Sequence, residues 1–549
     1  MRIIRAAGFI STLIVVGCST DGSTGGFGGS VGSSGGGNGT ASGGTPTGTG
    51  MGGATALGGS TSTATGGSTS TATGGSTSTA TGGSTNTATG GSTSTTSGGT
   101  ATTTGGATTS GGSTAKGGST ASGGSTASGG TTTISGGAPA TGGLVDRITT
   151  SDVTTPAGVK AGVRNYRIWG SFMLKVAPVY IAPRANCGTL VCYTTGTASS
   201  PNARVARLGV DDKLVDTLDL GAGLECRGIA SEPDGHFAAL LWDNATDKIY
   251  VKRYDATGTA GFSTELTNSD NHPTDFGIGE SRLEFGAGKY GAYYHVHSDS
   301  GHEGDTLKYV AAATGAETTQ WSWGCSHSMS DLLTFNPTAN AFLPVCVTDC
   351  YPGTGSGDFA AVSQGGIFIS NSNSKKILDV DAGCNGSVAG ELGGAAVASA
   401  GWKVVYNAHQ APMTLGQSSY DSKSMNQDIG FASVGANQTP GAKIWLTTTA
   451  TNEADSGIAR WEPSGDTQEQ YVVGWLDGTA YKLSRVDAAG AFLEGPVDVT
   501  AKAKWGQRDD PFRAHINKDI VWAWFDAAGA TTFHFARLRA GGSATCAGF

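Results

Sequence analysis

Charge and long apolar runs are what this sequence has least of. Asp, Glu, Lys and Arg together make up 14% of its 549 residues, and the formal net charge is −9. No basic patch is present, which argues against nucleic acid as a partner and against direct binding to anionic lipid. Long apolar patterns of helical period are missing, so an α-helical core is not expected. No HExxH and no paired CxxC occurs, and beyond residue 143 there is no GxSxG elbow. Zinc-protease, four-cysteine zinc and serine-hydrolase readings therefore have no anchor.

Between Ser19 and Gly143 the absences go further. Only Asp21 and Lys116 carry charge there, and Phe27 is the only aromatic residue. What remains is Gly, Ser, Thr and Ala, with the unit Gly58-Gly59-Ser60-Thr61-Ser62-Thr63-Ala64-Thr65 recurring from Gly66, Gly74 and Gly82. A segment with so little apolar surface cannot offset the entropy of ordering its backbone. It is expected to be a disordered stalk, with a typical end-to-end distance of roughly 60 Å. Its hydroxyls are candidates for O-linked sugars.

Ahead of the stalk, Arg2 and Arg5 precede a short apolar stretch that ends Leu13-Ile14-Val15-Val16-Gly17-Cys18. The stretch is too short to span a bilayer. The arrangement resembles the signal peptide of a bacterial lipoprotein, with Val15-Val16-Gly17-Cys18 as the lipobox. That resemblance implies cleavage before Cys18, acylation of Cys18, and a partner in the lipid bilayer. Ser19 stands where inner-membrane retention uses Asp, which implies the outer membrane, facing the surface or the periplasm. The division is then a signal peptide over 1–17, a lipid-anchored stalk over 18–143, and a folded domain over 144–549.

The folded part reads as all-β. Short alternating runs recur, each bounded by Gly, Asp, Asn or Pro. Ala238-Ala239-Leu240-Leu241-Trp242-Asp243 is matched by Val472-Val473-Gly474-Trp475-Leu476-Asp477 and by Val521-Trp522-Ala523-Trp524-Phe525-Asp526. A second strand follows each, and the turns Asp255-Ala256-Thr257-Gly258 and Asp487-Ala488-Ala489-Gly490 recur after two of them. One supersecondary unit repeating in this way predicts a β-propeller, most simply of seven four-stranded blades. Blades are expected to begin near Pro178, Glu225, Cys325, Ala395, Ala459 and Pro511, with one more around 271–286. The last runs out of chain, so Val163–Trp169 is expected to supply its outer strand. Six or eight blades, or a pair of sandwiches, are the competing architectures.

Eight cysteines fall in the domain, an even number that fits disulfides in an oxidising compartment. Cys187 and Cys192 are close enough to staple a turn. A hairpin about 336–340 would bring Cys325 opposite the neighbourhood of Cys350.

The densest polar cluster is His295, His297, His302, Glu303 and Asp305. His295 and His297 share one face of a strand, and the set could hold a single divalent metal as cofactor. The competing reading is a solvated turn. At the mouth of a propeller channel, where loops converge, His327, Asp349 and His409 are the candidate ligand-binding residues. Asp379 and Asp381 open a run that resembles a calcium loop but lacks its closing Glu. The expected function is a binding module for a glycan, a protein or a small ligand. An enzyme with a metal or acid/base site at the channel mouth is the alternative, and a passive envelope scaffold a third.

Overall fold

The computed structural model describes residues 142–164, 173–176, 179–268, 271–273, 278, 281–297, 303–322, 324–325, 331–348, 366–370, 375–379, 391–410, 426–463, 465–505, 511–541 and 544–546, and the backbone of short strands between 48 and 134. The chain divides into two compact units, Met1–Thr126 and Ala127–Phe549. In the first, alternate copies of the repeat pair in parallel sixteen residues apart, as Thr61–Thr65 does with Thr77–Thr81. Built from Thr, Ser, Ala and Gly, such ladders have backbone hydrogen bonds, worth about 1 kcal/mol each net, in place of an apolar core.

The second unit is a seven-bladed β-propeller. Its inner strands are Tyr180–Pro183, Leu224–Ser231, Arg282–Gly286, Asp331–Asn336, Glu391–Ala398, Glu453–Arg460 and Arg513–Ala514. Each heads a four-stranded antiparallel sheet. Each lies beside the next, and Arg513–Ala514 returns to Tyr180–Pro183 to complete the ring. No helix occurs among the described residues.

Within a blade, burial falls from the axis outward. The second strand Phe237–Asp243 is buried on both faces along nearly its whole length, whereas the outer strand Phe492–Asp498 is largely exposed. A strand covered on both faces needs a continuous apolar run, and that is what the three matched segments are. The matched turns are one structure used twice. Asp255 Oδ1 accepts from the N–H of Thr257 and of Thr259, both at 2.8 Å. Asp487 Oδ1 does the same with Ala489 and Ala491, again at 2.8 Å. Gly258 and Gly490 close these turns at φ 96° and 87°, a region open chiefly to glycine. A hydrogen bond from Thr257 Oγ1 at 2.6 Å, followed by that from the Thr259 N–H, holds the Asp255 carboxyl down to about 2.

The strand that closes the last blade is Ile148–Thr154, not Val163–Trp169. It runs antiparallel to Thr532–Leu538 over seven residue pairs. Val163 and Arg164 belong instead to a separate hairpin, Ala161–Arg164 with Met173–Val176. Only Ile148 and Val153 of the closing strand are buried, so it carries little of the alternation that made the more apolar segment attractive.

The disulfides also differ from expectation. Cys187 bonds Cys546, 359 residues away, and ties the first blade to the C-terminal strand. Cys192 bonds Cys226 and ties the first blade to the second. The two cysteines expected to pair thus face different neighbours, Cys187 in a turn and Cys192 on a buried strand. The fourth-blade hairpin forms as expected, with Asp331 opposite Cys346. Cys325 then bonds Cys346, on the second strand of that hairpin, and not the expected Cys350. Cys18, Cys350 and Cys384 lie outside the described residues.

Candidate functional site

Every inner strand enters the ring at one end and turns into its second strand at the other. The first end, the loop face, carries the blade-to-blade links and the loops from second to third strands. The second is the turn face. Of the residues singled out in the sequence, His295, His297, Glu303, Asp305 and His409 lie toward the loop face, and His302, His327 and Asp349 lie outside the described residues.

His295 and His297 end the second strand of the third blade, and Glu303 and Asp305 begin its third strand rather than a loop. The register sets His295 directly opposite Asp305, and His297 opposite Glu303. Both His295 and Asp305 are fully buried. Asp305 accepts from Tyr293 Oη of its own blade and, across to the fourth blade, from Ser370 Oγ at 3.3 Å. Its carboxylate and the sulfurs of Cys325 and Cys346 lie within 4.8 Å of one another. Those sulfurs are joined in a disulfide and so are not thiolate ligands. His272, which no sequence pattern singled out, is joined to His297 by two backbone hydrogen bonds of 2.9 and 3.2 Å. Their rings meet edge-on, 5.2 Å apart.

His409 follows the second strand of the fifth blade, buried, with Nδ1 2.9 Å from the Asn426 carbonyl oxygen. Burial pushes its imidazole below the ordinary range. Around it gather groups that the sequence did not single out. Asp428 accepts from Thr449 N–H at 2.8 Å and from Gln410 Nε2 at 2.7 Å. Glu453 accepts from Thr447 Oγ1. Burial, then the charges of Asp428 and Asp477, push Glu453 up to about 7. Asn407, fully buried, bridges Glu391 and Gln427.

These burials have a measurable consequence. Burial also raises Asp305 to about 8, while at the turn face burial and then Arg537 lower His515 to about 4. A carboxyl raised in the folded state stabilises it at low pH and loses that contribution as pH climbs toward the raised value. Histidine held neutral works in the opposite sense, losing its contribution as pH falls from about 6.5 toward 4. Stability against urea is therefore expected to decline between pH 6 and 8, by roughly 1.4 kcal/mol per unit for each raised group. Asp305→Asn should flatten that decline, and an unchanged slope would show that the carboxyl is ionised in the native protein.

The open space lies at the turn face. The ends of all seven inner strands surround a cavity of about 540 Å³ on the axis. Small side chains leave this room, among them Ala182, Ala230, Ala395 and Ala459, while Phe285 and Phe335 add aromatic surface. Glu284, Arg460, Arg513 and Lys518 are charged residues of its lining, which also includes His515. Because each inner strand is paired on one side only, its free edge turns backbone N–H and C=O groups to the axis.

Neither a family profile nor any curated protein sequence matches the chain. Among solved structures it is similar to the β-propeller domain of the Trilobed protease from Pyrococcus furiosus, at 8% identity and TM-score 0.36, covering 65% of this chain and 93% of that one. A Dos1 propeller gives 10% and 0.37, covering 72% and 97%. AofleA from Arthrobotrys oligospora, as a mutant, gives 10% and 0.33, covering 64% and 90%. At these values the likenesses bear on neither mechanism nor ligand. On its own topology the folded unit is a seven-bladed propeller.

Proposed function

We propose that the propeller is a binding module that takes a small ligand into the channel at its turn face, and that a lipid on Cys18 holds it at the outer membrane. The cavity carries this reading. At about 540 Å³ it is within the range of small-molecule sites, and its walls, which mix alanine and phenylalanine with polar and charged groups, enclose a space of a size for such a ligand rather than for a protein surface or an extended glycan. N-phenyl-1-naphthylamine, a neutral two-ring fluorophore, is expected to bind the domain one to one. Ala514 lines the cavity from an exposed position, so Ala514→Trp should block that binding without lowering the melting temperature. Binding that survives the plug would place the ligand elsewhere.

The anchor has its own test. Cys18→Ser is expected to abolish incorporation of a fatty-acid probe and to release the protein from the membrane fraction. Equal labelling of the variant would end the lipoprotein reading.

The loop face supports a second reading, acid/base catalysis, through one observation. Glu453, pushed by burial up to about 7, stands close to a second carboxyl, that of Asp428, and a carboxyl poised near neutrality is suited to proton transfer. An activity that responds to Glu453→Gln but not to the Ala514→Trp plug would favour it.

A further inference from the structure

The chain as a whole is acidic, at −9, yet the mouth of the channel is not. Three of the charged residues that line it, Arg460, Arg513 and Lys518, are cationic, set against the single carboxylate Glu284. Glu462 lies behind two of the cations, accepting from Arg460 Nε at 2.6 Å and standing 3.1 Å from Lys518 Nζ. Among these described residues the cations outnumber the acids, three to two. His515, lowered to about 4, adds none near neutral pH. Arg513 and Lys518 belong to the last blade and Arg460 to the sixth, so the cations share one arc of the rim. Opposite that arc the wall is Ala230, Phe285 and Phe335.

We propose that the ligand of this channel is a small anionic amphiphile, an apolar or aromatic body with a carboxylate, sulfonate or phosphate at one end. The inference rests on the channel being the binding site and adds the ligand's chemistry. The body replaces water along the alanine and phenylalanine wall, where burial of apolar surface is favourable. The acidic end stays at the rim, where guanidinium and ammonium groups supply charge-assisted hydrogen bonds. Backbone N–H groups on the channel edge of the inner strands are further donors toward it. A neutral ligand of the same shape gains only the first of these, and a cationic one meets repulsion at the opening.

Two fluorophores with the same rings separate the two claims. 1-Anilinonaphthalene-8-sulfonate carries a sulfonate that N-phenyl-1-naphthylamine lacks. The sulfonate is expected to bind about tenfold more tightly, a difference of about 1.4 kcal/mol. That preference should shrink with added salt, since the rim is open to solvent. Arg513→Gln with Lys518→Gln should bring the two affinities together while leaving the neutral probe unchanged. Ala514→Trp, or Val397→Trp from a different blade, should exclude both probes. Equal affinities in the wild type, with both probes lost on plugging, would overturn the anionic ligand and leave the channel reading intact. Binding that persists in both plugged variants, or no binding of either probe to the wild type, would overturn the channel reading itself.

Discussion

A chain that begins at Ala157 is expected to yield no stable propeller, whereas one that begins at Ala127 should melt like the full-length protein. The shorter chain lacks Ile148–Thr154 and with it seven residue pairs against Thr532–Leu538. Backbone hydrogen bonds contribute about 1 kcal/mol each. Burial of Leu144, Ile148 and Val153 adds about 1.5–3 kcal/mol for each side chain. The sum is comparable to the roughly 5–15 kcal/mol that separates a whole domain from its unfolded state. Loss of the strand also leaves Thr532–Leu538 as a bare edge, open to pairing with other chains. Thermal melts followed by circular dichroism, with light scattering for aggregation, read both outcomes. A cooperative transition at an unchanged midpoint in the shorter chain would show that the ring does not depend on this closure.

Arg537→Met is expected to cost about 3–5 kcal/mol. Arg537 is almost fully buried at the junction of the last and first blades. Its Nε donates to Asp212 at 2.9 and 3.0 Å, one terminal nitrogen reaches Asp212 at 2.5 Å, and the other reaches Asp519 at 3.3 Å. Asp519 also accepts from the N–H of Ala540 at 2.7 Å. Removing the guanidinium leaves two buried carboxylates without their main counter-charge, a far larger loss than that of one exposed ion pair. Adding Asp212→Asn and Asp519→Asn should recover part of the loss, because the desolvated charge then goes too. Urea midpoints measure it, and a cost below 1 kcal/mol would mean that water reaches the cluster.

Much of the ring was legible in the sequence because its signal comes from strands buried on both faces. Expected starts near Pro178, Glu225, Cys325, Ala395, Ala459 and Pro511 compare with inner strands at Tyr180, Leu224, Asp331, Glu391, Glu453 and Arg513. The remaining expected unit, around 271–286, holds Arg282–Gly286. What failed to show was whatever depends on the ring being closed. The closing strand, Ile-Thr-Thr-Ser-Asp-Val-Thr, buries two side chains and so looks like a loop. The pairing of Cys187 with Cys546 follows from contact between the first and last blades, which local spacing cannot express. The channel was hidden for a related reason. Ala182, Ala230, Ala395 and Ala459 are unremarkable singly and enclose a space only when four separate blades set them around one axis. Of the loop-face residues, His295, Asp305 and His409 proved buried rather than half-exposed, since strands and not turns carry or flank them.

The position of Ile148–Thr154 also fixes an order of events during synthesis. This strand and Cys187 leave the ribosome well before their partners, Thr532–Leu538 and Cys546, with 359 residues separating the two cysteines. Blades one to six can each pair their own four strands as they emerge, whereas the seventh cannot be finished until Thr532–Leu538 reaches the strand made first. Until then the growing chain exposes one unsatisfied strand at each end of an open arc. Contacts between positions so distant in sequence form slowly, and the arc is open to misassembly while it waits. Any machinery that guides this protein to its destination has to protect the two ends of that arc more than its middle.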